Sequence, residues 1–568
     1  MAAIPAAGAA AAARCGASIL APRRARRLVQ LVRSATAAGG DVEVGTAAER
    51  ETYLEIASRP SRFQESQWGP EDVCVVLLEA MRVQWNHGYP STPRGYPRTT
   101  HGFHEYPAGM QAAAADRILD VLPGNSLLDP FAGGGTSLVV GMSKGRETFG
   151  VDVSPLAAFV ATHRTWRPAP GAETATFEWM RATAQAASDG LDAAAVASRE
   201  EESSANLPGL EPETSESASE ENPEPRGKSG AKGGGGVPRA WRAIRRSLRT
   251  ALESPNADTA APPPPGLGGT TPAQALWFCL SVALQRSQKG RGKRRKRGYK
   301  NQRRKARAET ESAIKEQSAT EAESDAAALF RKCVDEYCDR VNELCAFVPV
   351  GTPPPVIVNG DVRNLPEASR RDLPEDSSIA AALTSPPYPG VYDYLSFARK
   401  VRAGSGAALM DDGSRSPGDD DGSRSPDPDD GSRSPAGSDG KDRRGTLRYF
   451  ATAVPGDRSW PDEWNVGEFG SRRELRRDPR AFKEAWQEDQ TRWIRVVARA
   501  LAPGGRVAIM IGDGANVDTR ASTVDAGAAV GLTHVASVSM ALTHETAEGL
   551  VWNAARREHL VLLEKPRD

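Results

Sequence analysis

Short apolar runs that stop at an acidic or glycine-rich turn recur along this chain. Leu127 and Leu128 run into Asp129, and residues 148–151 run into Asp152. Runs of this length bounded by turn signals are typical of strands buried on both faces of a sheet. The sequence predicts further strands of this kind at 356–358, 379–383, 506–511, 532–542 and 559–563.

Between these runs, apolar residues recur at helical spacing. Glu71 and Asp72 open such a segment, and acidic residues are favoured in the first turn of a helix. The spacing predicts helices over residues 71–85, 112–121, 155–164, 240–252, 272–285, 325–347 and 479–501. Strands that alternate with helices predict an α/β fold around a mostly parallel, doubly wound sheet.

The most informative stretch is a strand, a tight turn and a helix around residues 127–140. Asp129 is followed by Gly133, Gly134 and Gly135, and glycine lets the backbone approach a ligand closely. An acid at the tip of the next strand, Asp152, is suited to hold ribose hydroxyls. The turn lacks the G-x-G-x-x-G spacing, and no Lys follows the glycines, so it is neither the dinucleotide fingerprint nor a Walker A loop.

A second candidate loop follows the strand at 379–383. It reads Thr384-Ser385-Pro386-Pro387-Tyr388, and two consecutive prolines stop a strand and fix a rigid loop. Ligands of open α/β sheets bind at the carboxyl ends of the strands, where both loops should lie. An aromatic-rich loop at 101–110 precedes the glycine turn and could cover a bound ligand, although ordinary core packing would explain it as well.

Composition suggests less folded chain than 568 residues would allow. The mean hydropathy is −0.49, and the chain holds 54 Gly and 42 Pro. Residues 188–238 are rich in Glu, Ser, Gly and Pro, and 411–435 repeat Asp-Gly-Ser-Arg-Ser-Pro three times. Such segments cannot bury enough apolar surface to fold, so we expect one domain with long disordered inserts.

The formal net charge is zero, but the charges are segregated. Residues 286–307 carry Lys and Arg but no acidic residue. Such a run binds phosphates, although a solvated tail or a nuclear import signal would have a similar composition. Residues 1–40 contain Arg but no acid, which is typical of a plastid or mitochondrial transit peptide. The six cysteines form no C-x-x-C pair, and no apolar run could span a bilayer.

Taken together, the motifs resemble those of the amino-group DNA methyltransferases that use S-adenosylmethionine. The family's Asp-Pro-Phe-x-Gly-x-Gly-Thr loop matches residues 129–136, its His-x-Tyr-Pro-Ala loop matches 104–108, and its Ser-Pro-Pro-Tyr loop matches 385–388. The match is closest to the branch that methylates N4 of cytosine. The resemblance implies a Rossmann-like class I methyltransferase that acts on DNA or RNA, with no membrane partner and no metal site.

The resemblance also assigns roles to individual residues. Ser385 Oγ and the Pro386 carbonyl would accept the N–H bonds of the target amino group, Pro387 would keep that carbonyl fixed, and Tyr388 would stack on a flipped base. Asp152 would bind the ribose and Asp361 would face the adenine. The implied cofactor-binding set is Phe103, Tyr106, Asp129, Pro130, Phe131, Gly133, Gly135, Thr136, Asp152 and Asp361.

Composition and the resemblance together divide the chain into seven parts. These are a transit peptide (1–40), an N-terminal helical extension (41–100), the cofactor half of the core (101–170), an insert with low-complexity and basic segments plus helices (171–350), the catalytic loop (351–400), a low-complexity insert (401–445) and the C-terminal part of the core (446–568).

Several functions remain open on the sequence alone. The same residue types would suit the N6 amine of adenine, and RNA or tRNA base methyltransferases carry similar loops. A catalytically silent nucleic-acid-binding module is the alternative outside enzymes. Methylation at cytosine C5 is disfavoured, because it needs a Pro-Cys pair and no cysteine here follows a proline.

Overall fold

The computed structural model describes residues 64–87, 93, 96–104, 106, 109–205, 239–253, 262–298, 311–365, 371–390, 469–470, 475, 477–546 and 549–567. The predicted transit peptide, the repeats at 411–435 and residues 206–238 lie outside these ranges. No helix among the described residues is both long enough and apolar enough to cross a membrane.

In the described part of the chain, eight strands form a single sheet. In chain order they are β1 (Gln64–Trp68), β2 (Ser126–Asp129), β3 (Glu147–Asp152), β4 (Val356–Asn359), β5 (Ile379–Thr384), β6 (Leu501–Gly512), β7 (Thr533–Thr546) and β8 (Gly549–Glu564). Their spatial order is β1-β7-β8-β6-β5-β2-β3-β4.

Five neighbouring strands are parallel, in the spatial order β6, β5, β2, β3 and β4. The remaining three, β8, β7 and β1, pair antiparallel. From β2 the chain runs outward through β3 to β4, then returns to the other side of β2 and continues through β5 to β6. The order therefore reverses between β2 and β5, where Leu127 lies opposite Ala381. This mostly parallel mixed sheet confirms the α/β class of the prediction and is compatible with a Rossmann-like fold, whose ligands bind at such a reversal.

Ten α-helices accompany the sheet in the described part of the chain. They are α1 (Glu71–His87), α2 (Ala112–Ile118), α3 (Thr136–Ser143), α4 (Pro155–Thr165), α5 (Glu173–Ala205), α6 (Arg239–Glu253), α7 (Pro272–Gly298), α8 (Glu311–Phe347), α9 (Pro479–Ala500) and α10 (Thr519–Ala528). Short 3₁₀ helices lie at Leu119–Val121 and Val362–Asn364.

Three large hydrophobic cores hold these elements in the described part of the chain. Helices α1 and α2 pack with β5 to β8 in one core, and α9 and α10 pack with β2 to β6 and β8 in a second. Helices α5 to α8 form a third core with α4 and the aromatic loop. The helices of the predicted insert therefore form a packed layer against α4 and the aromatic loop.

The structure corrects three predictions about local structure. Residues 188–205 were expected to be disordered, but they continue α5, which buries Phe177, Met180, Ala184, Ala187 and Leu191 on one face. Helix α7 was expected to end at residue 285, but it continues through the basic residues to Gly298. Its buried first half provides the formed helix that these residues extend. Strand β1, in the extension expected to be helical, has no apolar alternation and forms by pairing with β7.

Trp486 on α9 allows a direct test of the second core. Its side chain is fully buried and stacks on Phe469 with ring centroids 4.8 Å apart, while its Nε1 finds no acceptor among the described residues. We expect Trp486→Ala to lower the free energy of unfolding by about 3–5 kcal/mol, because it opens a large cavity.

Trp486→Phe is the matched control. It keeps an aromatic ring and removes a buried N–H without a partner, so we expect a change below about 1.5 kcal/mol. Urea unfolding of the two variants beside the wild type measures both values. Equal losses in the two variants would contradict this account of the core.

Candidate active site

The carboxylate of Asp129, at the carboxyl end of β2, joins three parts of the site. Its Oδ1 accepts hydrogen bonds from the Phe131 amide at 3.0 Å and from Thr384 Oγ1 at 2.7 Å, and its Oδ2 accepts one from Ser137 Oγ. Burial raises the pKa of Asp129 to about 6, although all three hydrogen bonds oppose that shift. Asp129 therefore fastens the glycine turn and the start of α3 to the end of β5.

The Ser385–Tyr388 loop begins one residue after Thr384. Ser385 and Pro387 are half-buried and Pro386 is buried. The Tyr388 hydroxyl donates to Glu558 Oε1 at 2.7 Å, and its ring lies so close to Gly512 that a Cβ there would come within 2.5 Å of it. The tyrosine ring is thus held between the carboxyl end of β6 and the middle of β8.

Glu558 is a carboxylate in dense surroundings. Burial raises its pKa, and the hydrogen bond from Tyr388 opposes the shift. On the neighbouring strand end, Asp513 accepts hydrogen bonds from the Thr519 amide and from His559 Nε2 at 3.1 Å. These contacts join the carboxyl end of β6 to the middle of β8 beside the loop.

The glycine turn has the tight geometry that its sequence predicts. Gly133 and Gly135 have positive φ angles of 51° and 76°, where residues with a side chain are strained. A Cβ on Gly135 would come within 3.0 Å of Ala161 on α4. The remaining residues of this motif lie in the same turn, with Pro130 and Thr136 buried and Phe131 half-buried.

Asp152, at the carboxyl end of β3, faces the glycine turn. Its Oδ2 accepts from the Gly133 amide and its Oδ1 from the Ser154 amide, both at 2.8 Å. Dense surroundings raise the pKa of Asp152 to about 6, and the two amide hydrogen bonds oppose the rise. The side chain remains partly exposed, and each oxygen keeps a lone pair for a further donor.

Arginine side chains hold the backbone of the aromatic loop. Arg164, fully buried on α4, donates to the Gly134 carbonyl at 2.9 Å and to the His104 carbonyl. Arg340, on α8, donates to the His101 carbonyl at 2.8 Å. Because a buried carbonyl must be paired, these contacts fix the loop against the glycine turn.

The two predicted pocket aromatics occupy different environments. Tyr106 lies directly over the turn, where its ring would be 3.4 Å from a Cβ on Gly133. Phe103 is 1% exposed and packs against Phe278 and Tyr337 in the helical core. Residues 105, 107 and 108 of the same motif lie outside the described residues.

Asp361 caps the 3₁₀ helix after β4 and forms an ion pair with Arg363. The Arg363 Nη2 lies 2.6 Å from Asp361 Oδ2, and its Nη1 lies 2.7 Å from Asp489 on α9. The Arg363 guanidinium is the main cause that lowers the pKa of Asp361, against the effect of burial. Any ligand that Asp361 binds must share this carboxylate with Arg363.

The sequence interpretation overlooked several residues that build the site. Thr384 is the first residue of the predicted loop but was given no role there, and Glu558 stands before an apolar run, so position gave some signal for both. The contacts of Arg164 with His104 and of Arg363 with Asp489 gave none, because these partners lie far away in sequence. Among the described residues, no cluster of three or more His, Cys, Asp or Glu side chains could hold a metal ion.

Comparison with known proteins gives one short similarity. A stretch of 71 residues is 37% identical to the Type II methyltransferase M.MvaI of Kocuria varians. The stretch covers 12% of this chain and 16% of that protein, so the chain matches about a sixth of the relative's length. No protein-family model matches the chain.

Thr384→Val tests the Asp129 junction, because it removes the hydroxyl and nearly keeps the shape. We expect it to lower the free energy of unfolding by about 1.5–3 kcal/mol at pH 7.5, the usual value for a hydrogen bond to a charged group. The cost should shrink at pH 5, below the pKa of about 6, where Asp129 is protonated in the folded protein.

Thr384→Ser keeps the hydroxyl and is the matched control. We expect a loss of about 0.8 kcal/mol, the value of one methyl group, with no such dependence on pH. Denaturant unfolding of both variants at the two pH values measures this. A valine variant no more costly than the serine variant at pH 7.5 would contradict the role of the Thr384 hydroxyl.

Proposed function

We propose that this protein is an S-adenosylmethionine-dependent methyltransferase that modifies an exocyclic amino group of a nucleobase, with cytosine N4 in DNA as the first candidate. The observation that carries the proposal is the Asp129–Thr384 hydrogen bond, which sets the glycine turn beside the Ser385–Tyr388 loop. The short similarity to a Type II methyltransferase supports methyl transfer in general. The cytosine assignment rests on the resemblance of the motifs.

The residues around the glycine turn fit the chemical groups of this cofactor. Asp152 offers partly exposed carboxylate oxygens to a ribose diol, whose two hydroxyls can both donate. Gly133 has no side chain and the Tyr106 ring lies over it, so these two residues would bound the space for the amino-acid part. Asp129 is buried and accepts three hydrogen bonds from the protein, so its contribution is to hold the turn rather than to contact the cofactor.

The adenine side of the pocket is less open to direct contacts. Asp361 would share its carboxylate between Arg363 and the adenine amino group. Phe103 is directed into the helical core, so we assign it to supporting the loop that carries Tyr106. Pro130, Phe131, Gly135 and Thr136 would shape the pocket through the turn and the first residues of α3.

The Ser385–Tyr388 loop provides what a base amino group requires. The lone pair of this amine is delocalised into the ring, so the enzyme must hold the nitrogen in line with the methyl group. When bound, the cofactor supplies an electrophilic methyl group on a sulfonium. Ser385 Oγ and the Pro386 carbonyl would accept the two N–H bonds, and Tyr388, held by Glu558, would stack on the extruded base.

A labelled methyl-transfer assay tests the reaction. We expect transfer to DNA and not to RNA, with N4-methylcytosine as the nucleoside identified by mass spectrometry. Pro387→Ala should lower the turnover rate by about 10–100-fold, because a misplaced acceptor carbonyl costs rate rather than cofactor affinity. Pro389→Ala, in the same loop but outside the four assigned residues, is the matched control and should stay within about threefold of the wild type.

Each other outcome of this assay would support a different function. Transfer to RNA alone would exclude the DNA assignment, and N6-methyladenine as product would exclude the cytosine assignment. Transfer to neither polymer would favour a silent nucleic-acid-binding module. Localisation of the full chain in cells would separately test whether residues 1–40 direct it to an organelle.

The pH dependence of cofactor binding tests Asp152. Its pKa is about 6, so the ionised acceptor is present above pH 7 and is lost as the pH falls through 6. We expect the affinity for S-adenosylmethionine to be constant above pH 7 and about tenfold weaker at pH 5, one pH unit below that pKa. Isothermal titration calorimetry from pH 5 to 8 measures this.

Asp152→Asn is the control for this measurement. We expect roughly 10–100-fold weaker binding at pH 8, because a charge-assisted hydrogen bond is lost. Its affinity should follow only the titrations that the two proteins share, those of the cofactor and of Asp129. Parallel pH curves for the variant and the wild type would remove Asp152 from the cofactor site.

A further inference from the structure

Helix α7 has two halves of opposite character. The first half is buried in the helical core, with Leu276, Phe278, Leu280, Val282 and Leu284 fully buried. The second half, residues 287–298, contains seven basic residues and no acid: Lys289, Arg291, Lys293, Arg294, Arg295, Lys296 and Arg297. At 1.5 Å per residue, this basic half is roughly 18 Å long.

The two halves meet at the aromatic loop. Ser281 Oγ lies 3.1 Å from His104 Nε2. Arg286 is ion-paired with Glu336, and its guanidinium lies 5.0 Å from the centre of the Phe103 ring. The basic half therefore begins one residue after a side chain that touches the loop over the glycine turn.

The charges of the basic half disfavour a helix on its own. Lys289 and Lys293 are four residues apart, as are Arg291 and Arg295, and like charges at this spacing destabilise a helix. The buried first half offsets this cost by providing a formed helix to extend. A polyanion would remove the repulsion and release its own counterions on binding.

We propose that residues 287–298 of α7 form a docking helix for the phosphate backbone of nucleic acid, held beside the candidate active site by the buried half of the helix. This inference deepens the proposed function, on which it rests for the nature of the polymer. An acidic membrane is the poorer partner, because residues 287–298 include no apolar side chain that could enter a bilayer interface.

Binding of the full chain to a labelled 20-base-pair duplex of arbitrary sequence tests the proposal, by fluorescence anisotropy between 50 and 300 mM NaCl. The test variant is Lys293→Gln/Arg294→Gln/Arg295→Gln. We expect its Kd at 100 mM NaCl to be at least about tenfold weaker than that of the wild type. The slope of log Kd against log salt should fall by about 2–3, since each phosphate contact contributes about 0.9.

The matched control is Arg480→Gln/Lys483→Gln/Arg495→Gln, which removes one Lys and two Arg from the exposed side of α9. Its Kd should stay within about twofold of the wild type. Equal weakening in the two triple variants, or none in the first, would overturn the proposal. A first triple variant that lost binding to phosphatidylserine vesicles but bound DNA as tightly as the wild type would also overturn it. Circular dichroism confirms that both variants are folded.

The binding assay uses neither cofactor nor methyl transfer, so the two proposals fail separately. Wild-type protein that binds the duplex through α7 but methylates no nucleic acid would contradict the proposed function alone. A first triple variant that methylates DNA and binds it as tightly as the wild type would contradict the docking helix alone.

Discussion

The buried carboxylate of Asp129 is the constraint on which the candidate site depends. It accepts one hydrogen bond from its own turn, one from α3 and one from Thr384, which lies 255 residues later in the chain. Strand order alone brings the ends of β2 and β5 to the same edge, but it does not fix the loops that follow them. The Asp129 contacts do so, because a buried acceptor without partners would be costly.

The helical layer serves the same site from outside the sheet. The backbone of residues 99–104 has no strand to pair with, and side chains of α4, α7 and α8 supply the missing donors. Glu336 stays ionised between Arg286 and Arg340, since the hydrogen bond and charge of these arginines hold its pKa at about 2 against the effect of burial. Helices that the sequence placed in an insert thus hold the loop that covers the glycine turn.

The parts that could be predicted from the sequence are those governed by local rules. Apolar runs before acids indicated β2 and β3, and the glycines indicated the turn. The burial of Phe103 and the pairing of Arg363 with Asp489 depend on elements far away in the chain, so no local pattern carried them. Strand β1 was missed for the same reason, because it is polar and exists only through its pairing with β7.

Four aspartates at the carboxyl ends of the strands fall into two groups by the direction of their pKa shift. Asp361 and Asp513 have a lowered pKa, with Arg363 and His559 as the main favourable partners. Asp129 and Asp152 have a raised pKa of about 6, and the described residues offer them only neutral N–H and O–H donors. Above pH 6, the glycine turn is therefore flanked by two carboxylates that have no counter-ion among the described residues. A ligand with a positive charge near this turn, such as a sulfonium, would reduce the cost of keeping both ionised.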